Sequence, residues 1–339
     1  MKKEYRAAIV GCGRIASSFD KDPKRRYVAT HAGAYSAVKA TRLVAACDLD
    51  EQRLKEFGER WKVKNLYRDF GQMLQTEKPE IVSICTWQGS HFELAKQAVK
   101  AGVRAIFCEK PVTEKLSDAD ALLSLCKKKK VTLAVNHSRR WDDGHLKIKA
   151  FLDSGKLGQI RHVNAYYTAG IANTGTHLFD LLGLFLGDAK WVSASPQPVF
   201  GEKDLTLSGQ IYFKNGTLVS LSGLDVKDYL IFELDFYGSK GRLRLKHSGF
   251  GLDYWKVEES PYFSGYKELK SSKPPFLMSE KKMMTNAVTD IVQSLETGRE
   301  PRSTCRDGLK ALELICAFKS SFKNGQRVSL PLKNRKVKL

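Results

Sequence analysis

Three clusters in this 339-residue chain carry glycines and side chains spaced for chemistry. The first is Gly11-Cys12-Gly13-Arg14-Ile15-Ala16, directly after the apolar run Ala7-Ala8-Ile9-Val10. This is the dinucleotide fingerprint in its Ala-ending form. Gly11 permits the tight turn out of a strand, Gly13 leaves the backbone open to a pyrophosphate, and Ala16 lets a helix pack closely. Arg14 and Ile15 lie in the turn where a helix N-terminus offers free N–H groups to the phosphates. The second cluster is Cys108-Glu109-Lys110-Pro111, at the end of an apolar stretch. Beside a cationic nicotinamide, a lysine there has a depressed pKa and can exchange a proton with a hydroxyl. Oxidising an alcohol needs such a base as hydride leaves carbon. The third is Asn173-Thr174-Gly175-Thr176-His177-Leu178-Phe179-Asp180. On a helix, Asn173 and His177 share a face, and His177 and Asp180 are three apart. The imidazole can then donate to or take a proton from a hydroxyl, with Asp180 orienting it. Arg139 or Arg140 can bind a carboxylate or phosphate bidentately. Taken singly, each has a plainer reading: Lys110 in a surface turn before a proline, His177 satisfying a buried polar group, the arginines pairing with local acids.

The elements that must position these groups alternate. Apolar stretches at 7–10, 43–47, 81–85, 105–108 and 131–135 read as strands, with a short one near 66–67. Between them, helical stretches run over 31–39, 50–61, 69–76, 91–100 and 118–129. Such alternation implies βαβ units and a parallel sheet, and unbroken apolar strands suit a sheet covered on both faces. The strand at 43–47 ends in Asp48, which can accept hydrogen bonds from an adenosine ribose and repels a 2′-phosphate. That favours NAD over NADP. The gap from Gly13 to Asp48 exceeds the usual ~20 residues, and a polar insertion at 19–27, containing Asp22-Pro23, accounts for the excess.

After Asn136 the texture changes. A helix is expected over 142–154, then longer, partly alternating strands at 159–168, 190–195, 205–213, 217–224, 231–237 and 241–246. A helix at 173–186 interrupts them, 260–275 reads as a loop, and helices at 280–296 and 306–323 follow. The expected architecture is α/β: an N-terminal Rossmann parallel sheet (1–130) and a C-terminal α+β domain (131–339) with a large, mostly antiparallel open sheet.

Bulk properties bound the function. The net charge is +20, but the positive residues are scattered, and no base-reading motif accompanies them. Steering of anionic ligands is the alternative use of that charge, so nucleic acid is not expected as a partner. No apolar run approaches about 18 residues, so no membrane span is expected. The seven cysteines form no Cys-x-x-Cys pair, which points to free thiols in a reducing cytoplasm. No His/Cys cluster has metal-ligand spacing.

In combination, the fingerprint, Asp48, Thr86-Trp87-Gln88-Gly89-Ser90-His91, Glu109-Lys110-Pro111 and Gly175-Thr176-His177-x-x-Asp180 resemble the Gfo/Idh/MocA family of sugar and cyclitol oxidoreductases. The resemblance spans almost the whole chain. It implies that Lys110 is the catalytic acid/base and binds substrate, and that His177 is the helix histidine of the site. Thr86, Trp87 and His91 then border the cofactor with Glu109. It also implies a homodimer or homotetramer joined through the C-terminal sheet. Two positions depart from the family: Asn173 stands where an Asp is common, and Trp87 where Pro is common. Asn cannot take a proton, which leaves acid/base work to Lys110 and His177. Arg139, Asn173 and Asp180 are expected to orient substrate. The expected activity is NAD-dependent hydride transfer at a sugar or nucleotide-sugar hydroxyl carbon. The rival readings are an NAD-using glycoside hydrolase and a non-catalytic dinucleotide-sensing regulator.

Overall fold

The first apolar run becomes β1 (Tyr5–Val10), buried at every position but Arg6. In the computed structural model, which describes residues 3–196, 199–278 and 282–339, β1 lies inside a six-stranded sheet. The chain divides into two units: Met1–Asp142 with Lys281–Leu309 and Lys338, and Asp143–Glu280 with Lys310–Val337 and Leu339.

In the first unit, β1 is followed by α1 (His31–Ala37), β2 (Thr41–Cys47), α2 (Glu51–Trp61), β3 (Asn65–Tyr67), α3 (Phe70–Glu77) and β4 (Ile81–Ile84). Then come α4 (His91–Lys100), β5 (Ala105–Cys108), α5 (Leu116–Lys129) and β6 (Thr132–Val135). All strand pairs are parallel, in the order β3-β2-β1-β4-β5-β6. The order reverses between β1 and β4, and open α/β sheets bind ligands at the carboxyl ends of strands beside such a reversal. Gly11 follows β1 there, and Cys85-Thr86 follow β4.

The insertion lies between the single turn after Gly13 and α1, and hydrogen bonds of helical type connect the two across it. The Ser17 amide donates to the Gly13 carbonyl at 3.0 Å, as in an opening helical turn. The Ile15 and Ala16 carbonyls then accept from His31 (3.1 Å) and Ala32 (3.0 Å). In an unbroken helix those acceptors take the amides of residues 19 and 20. His31 thus stands where residue 19 would, and the extra residues leave and rejoin the helix at neighbouring points. Asp20 braces the return, accepting from the Ala29 amide at 2.7 Å and from Thr30 Oγ1 at 2.6 Å. Thr30 Oγ1 in turn accepts from the Gly33 amide, capping α1.

The second unit opens with α6 (Asp143–Asp153), β7 (Ile160–Tyr167), α7 (Thr176–Leu186), β8 (Ala189–Ala194), β9 (Gly209–Phe213) and β10 (Leu218–Gly223). It continues with β11 (Phe232–Gly238), β12 (Gly241–Lys246), β13 (Gly251–Glu259) and β14 (Lys267–Ser272). After α8 (Met283–Thr297), which belongs to the first unit, come α9 (Cys305–Asn324) and β15 (Val328–Ser329). The nine strands run β14-β13-β12-β11-β7-β10-β9-β8-β15, antiparallel at each pairing except β7 with β10. One sheet face packs on α7 and α9, with Phe179 stacked on Phe318 at 5.4 Å and Phe185 edge-on to Phe236 at 5.7 Å.

Three expectations change. The expected loop at 260–275 contains β14, an edge strand whose Lys267, Glu268 and Lys270 are all exposed; with no buried face it has no apolar alternation to read. The strand expected from 205 begins at Gly209. The first unit also extends past residue 130, because β6 pairs with β5, and it takes in α8 from late in the chain. Glu280, the expected start of that helix, lies outside the described residues.

α8 is fixed by one carboxylate. Asp290, 3% exposed, accepts from Trp141 Nε1 (2.9 Å), the Arg302 amide (2.8 Å) and Arg299 (2.6 Å). Asp290→Ala strands the indole N–H in a fully buried site, so it is expected to destabilise by about 3–5 kcal/mol. Asp290→Asn, which keeps an acceptor, should lose less; denaturant unfolding of both variants checks this.

Candidate active site

The strand ends at the reversal enclose a cleft of about 510 Å³. Gly11, Gly13, Asp48, Thr86 and Trp87 all line it. The two glycines are needed for different reasons. Gly11 has φ +88°, and a Cβ there would lie 2.7 Å from the Cys85 carbonyl carbon and 2.8 Å from the Thr86 nitrogen. Its amide donates to the Cys47 carbonyl at 2.8 Å, so the turn is wedged between β2 and β4. Gly13 is the opposite case: a Cβ there would meet no protein atom within 4 Å. The protein leaves that space open on the cleft side, as a pyrophosphate against the backbone requires.

Asp48 holds the loop from the other side. Its Oδ2 accepts from the Cys12 amide at 2.6 Å and its Oδ1 from the Asp50 amide at 2.9 Å. Each carboxylate oxygen can accept twice, so an acceptor position remains on each for ribose hydroxyls. Leu49 (79% exposed) and Trp87 (74%) put apolar surface on the cleft wall, suited to the face of an adenine. These residues fit the adenosine and pyrophosphate parts of a dinucleotide. Arg14 and Ile15 follow in the turn and do not line the cleft; the Arg14 guanidinium lies 4.7 Å from the Phe19 ring.

His91 is also set back from the cleft. It is 1% exposed, with Nδ1 2.8 Å from the Pro111 carbonyl and Nε2 3.1 Å from the Thr86 carbonyl. The imidazole is packed between the loop after β4 and the loop after β5, and its single N–H in the neutral form donates to one of the two carbonyls. Burial pushes its pKa down, against the opposing pull of the two carbonyls. The unfolded chain then binds a proton at a pH where the folded chain does not, so His91 costs stability as pH falls below the ordinary imidazole value of about 6.5. His91→Gln should flatten the fall in Tm between pH 7 and 5. A Tm profile parallel to the wild type would disprove the assignment.

Glu109, 8% exposed, anchors the end of β5 in a buried chain of polar groups. Its Oε1 lies 2.9 Å from His31 Nε2 and 2.6 Å from Asn136 Nδ2. His31 Nδ1 is 2.8 Å from Ser83 Oγ, which is 2.7 Å from the Tyr35 hydroxyl. The Lys110 amide donates to Glu109 Oε2 at 3.4 Å, and Lys110 itself is half-buried. His31, Ser83, Tyr35 and Asn136 are not visible as partners in the sequence, since His31 and Glu109 stand 78 residues apart. Of the arginine pair, Arg140 is committed to the fold: it reaches Asp307 Oδ1 at 3.1 Å and the Arg302 carbonyl at 3.4 Å. Arg139 is half-buried.

In the second unit, Asn173 belongs to a π-helical turn (Gly170–Gly175) rather than to α7, which starts at Thr176. Such wide turns often accompany functional sites. Asp204 fixes it, accepting from the Ala172 amide at 3.0 Å and the Asn173 amide at 2.8 Å, while Thr206 Oγ1 accepts from Gly170 at 2.9 Å. Gly170 has φ +86°, and a Cβ there would overlap the Asp204 carboxylate. Asn173 is exposed, His177 half-buried and Asp180 buried. Lys110 and His177 thus belong to different units. Among the described residues no group of three or more His, Cys, Asp or Glu is placed to hold a metal ion.

Comparison with known proteins agrees with the fold. Across 97% of the chain and 90% of the relative, it is 26% identical to D-apiose dehydrogenase of Paraburkholderia graminis. It is 23% identical to myo-inositol 2-dehydrogenase of Thermotoga maritima, over 96% and 98% of the two chains. The WlbA dehydrogenase of Bordetella pertussis, solved with NADH and UDP-GlcNAcA, superposes with a TM-score of 0.80 at 20% identity, covering 98% and 99%. Residues 5–137 match the oxidoreductase family with an NAD-binding Rossmann fold, and residues 168–330 match its C-terminal α/β domain. With both domains matched in order around the Gly13 cleft and the Glu-Lys-Pro strand end, the chain belongs to the Gfo/Idh/MocA oxidoreductase family.

Proposed function

We propose that this protein is an NAD-dependent dehydrogenase acting on a CH–OH carbon of a sugar or cyclitol, free or nucleotide-linked. The observation that carries the reading is the open space at Gly13 beside Asp48, in the same sheet whose fifth strand ends in Glu109-Lys110. NAD supplies the hydride acceptor. Lys110 takes the hydroxyl proton, and His177 hydrogen-bonds the reacting or a neighbouring hydroxyl. Asn173, Asp180 and Arg139 orient the substrate. The names of the relatives, an apiose and an inositol dehydrogenase, support a polyhydroxylated substrate. Asp48 favours NAD over NADP by charge.

The N-terminal domain serves the cofactor, and the C-terminal domain serves substrate and self-association. The sheet face opposite α7 and α9 supports a homodimer or homotetramer: Trp191 stacks on Tyr212 at 5.5 Å, and the Arg242 guanidinium lies 4.4 Å from the Trp255 ring. Aromatic and arginine side chains are enriched where protein surfaces meet. All seven cysteines are buried free thiols, which supports a cytoplasmic location.

The test is an anaerobic mixture of protein, NAD and a panel of free and nucleotide-linked sugars and cyclitols, read by reduced-nicotinamide absorbance. Growth of that band with one member confirms the reading. Release of a reducing sugar without the band indicates the glycoside hydrolase, and binding of NAD with no turnover on any member indicates the regulator.

A further inference from the structure

Four consecutive amides of the π-helical turn before α7 are taken by one short segment of the second unit. The Gly170 amide donates to Thr206 Oγ1 (2.9 Å) and the Ile171 amide to the Leu205 carbonyl (2.9 Å). The Ala172 amide donates to Asp204 Oδ1 (3.0 Å) and the Asn173 amide to Asp204 Oδ2 (2.8 Å). Amides at the start of a helix have no partner within it. Here Asp204, Leu205 and Thr206 supply the partners, and the Asp204 carboxylate sits at the positive end of the helix dipole. The same stretch of chain holds the far end of the turn. A Cβ on Gly175 would lie 3.2 Å from the Tyr167 ring. The Tyr167 hydroxyl accepts from the Leu207 amide and donates to the Leu207 carbonyl, both at 2.9 Å. The chain enters the turn through two left-handed residues, Ala169 (φ +63°) and Gly170 (φ +86°). A residue with a Cβ rarely adopts that backbone, so the shape of the turn is imposed on it by its surroundings.

We propose that Asp204 is a positioning residue for the substrate: filling the amide end of the turn, it fixes the turn's register and so the direction in which Asn173 leaves the backbone relative to His177. The inference rests on the reading of Asn173 and His177 as substrate-contacting residues. The link to Asn173 is a direct bond to its own amide. A π-turn closes i→i+5 hydrogen bonds and an α-turn i→i+4. A turn that loses its brace falls back toward the α spacing of the helix it joins. Asn173 then turns about the axis while His177, inside α7, keeps its place. One carboxylate accepting from two successive amides holds both at one spacing, and Leu205 and Thr206 hold the two before them. Gly170 is required by the same contact, since a Cβ there would overlap the Asp204 carboxylate and displace it. The four amides are thus committed to the protein, so the turn meets a substrate through the exposed Asn173 and not as an anion site at a helix start.

The experiment compares Asp204→Ala, Asp204→Asn and Gly170→Ala in the full-length protein, with Asp204→Ala also made in an Asn173→Ala background. Turnover is measured with the panel sugar that reduces NAD. Asp204→Ala should lower kcat/KM for that sugar about tenfold or more, while NAD affinity stays within about twofold of wild type. Gly170→Ala, which displaces the same carboxylate, should lose a similar factor. Asp204→Asn, which keeps one acceptor, should fall between Asp204→Ala and wild type. In the Asn173→Ala background the Asp204 change should cost less than about twofold more, because a residue that acts through Asn173 has nothing left to act on. Amide hydrogen exchange followed by NMR supplies a second readout without substrate: exchange at Gly170 and Ile171, whose own acceptors are untouched, should quicken about tenfold or more in Asp204→Ala. If Asp204→Ala does not fold, Asp204→Asn decides on the same measurements. An unchanged kcat/KM in a folded Asp204 variant, where Asn173→Ala is impaired, overturns the proposal. So does an equal loss with and without the Asn173 side chain, which marks a brace of the fold alone. If Asn173→Ala and His177→Ala are both fully active, or no panel sugar reduces NAD, the reading of the site fails instead. Exchange at Ile171 then decides by itself whether Asp204 holds the turn, and an unchanged rate overturns that too.

Discussion

Lys110→Ala is expected to reduce kcat by about 10²–10⁴-fold, the usual contribution of a positioned acid or base. NAD binding should survive, because the cleft proposed for the adenosine and pyrophosphate is lined by Gly11, Gly13, Asp48 and Thr86, and Lys110 does not line it. Lys110→Arg is the sharper control. It keeps the positive charge, but a guanidinium stays protonated at any working pH and cannot accept the hydroxyl proton. Activity lost in both variants identifies proton transfer; activity kept in Lys110→Arg identifies a charge that merely orients. His177→Ala should also cost about 10²-fold or more. Steady-state turnover with the substrate found in the panel measures all three. Turnover within about twofold of wild type for Lys110→Ala or His177→Ala removes that residue from the chemistry.

The second large effect separates the two glycines of the turn. Gly11→Ala places a methyl 2.7 Å from backbone at Cys85, at φ +88°. The left-handed backbone alone costs about 1–3 kcal/mol, and the obstructing atoms belong to a central strand end that cannot move aside. A loss of about 3 kcal/mol or more in stability, together with lost NAD binding, is expected. Gly13→Ala adds its methyl to open space. Its Tm should match the wild type, while NAD affinity falls about tenfold or more as the methyl obstructs the phosphates. Thermal unfolding and calorimetry distinguish the pair. Equal NAD affinity in Gly13→Ala and wild type would place the dinucleotide elsewhere.

The parallel sheet was readable because its strands are short apolar runs punctuated by Gly, Pro and capping Asp or Thr residues. Asp50 and Asp69 cap α2 and α3 by accepting from Arg53 and Gln72, as side chains of that type before a helix suggest. The cleft residues Gly11, Gly13 and Asp48 were readable from residue type and position after apolar strands, although Asp48 meets the Cys12 amide across 36 residues. Long-range pairing was not. His31 meets Glu109 across 78 residues, and Asp204 meets the Asn173 amide across 31. Nothing in the residue types alone chooses those partners. Edge strand β14 was missed because all its residues but the last are exposed and its sequence is polar. The insertion was seen as extra length between Gly13 and Asp48, but its placement between that turn and α1 depends on which carbonyl meets which amide, and no sequence pattern encodes that.

That placement makes the segment between Ser17 and Thr30 a cassette. Its two ends join adjacent rungs of one helical ladder, so its removal leaves a splice that ordinary helix geometry closes. The same junction accepts a loop of different length or composition without changing the phase of the residues that follow. Variation in this protein can therefore collect beside its nucleotide turn, trading one appendage for another, while the machinery under the sheet keeps its alignment.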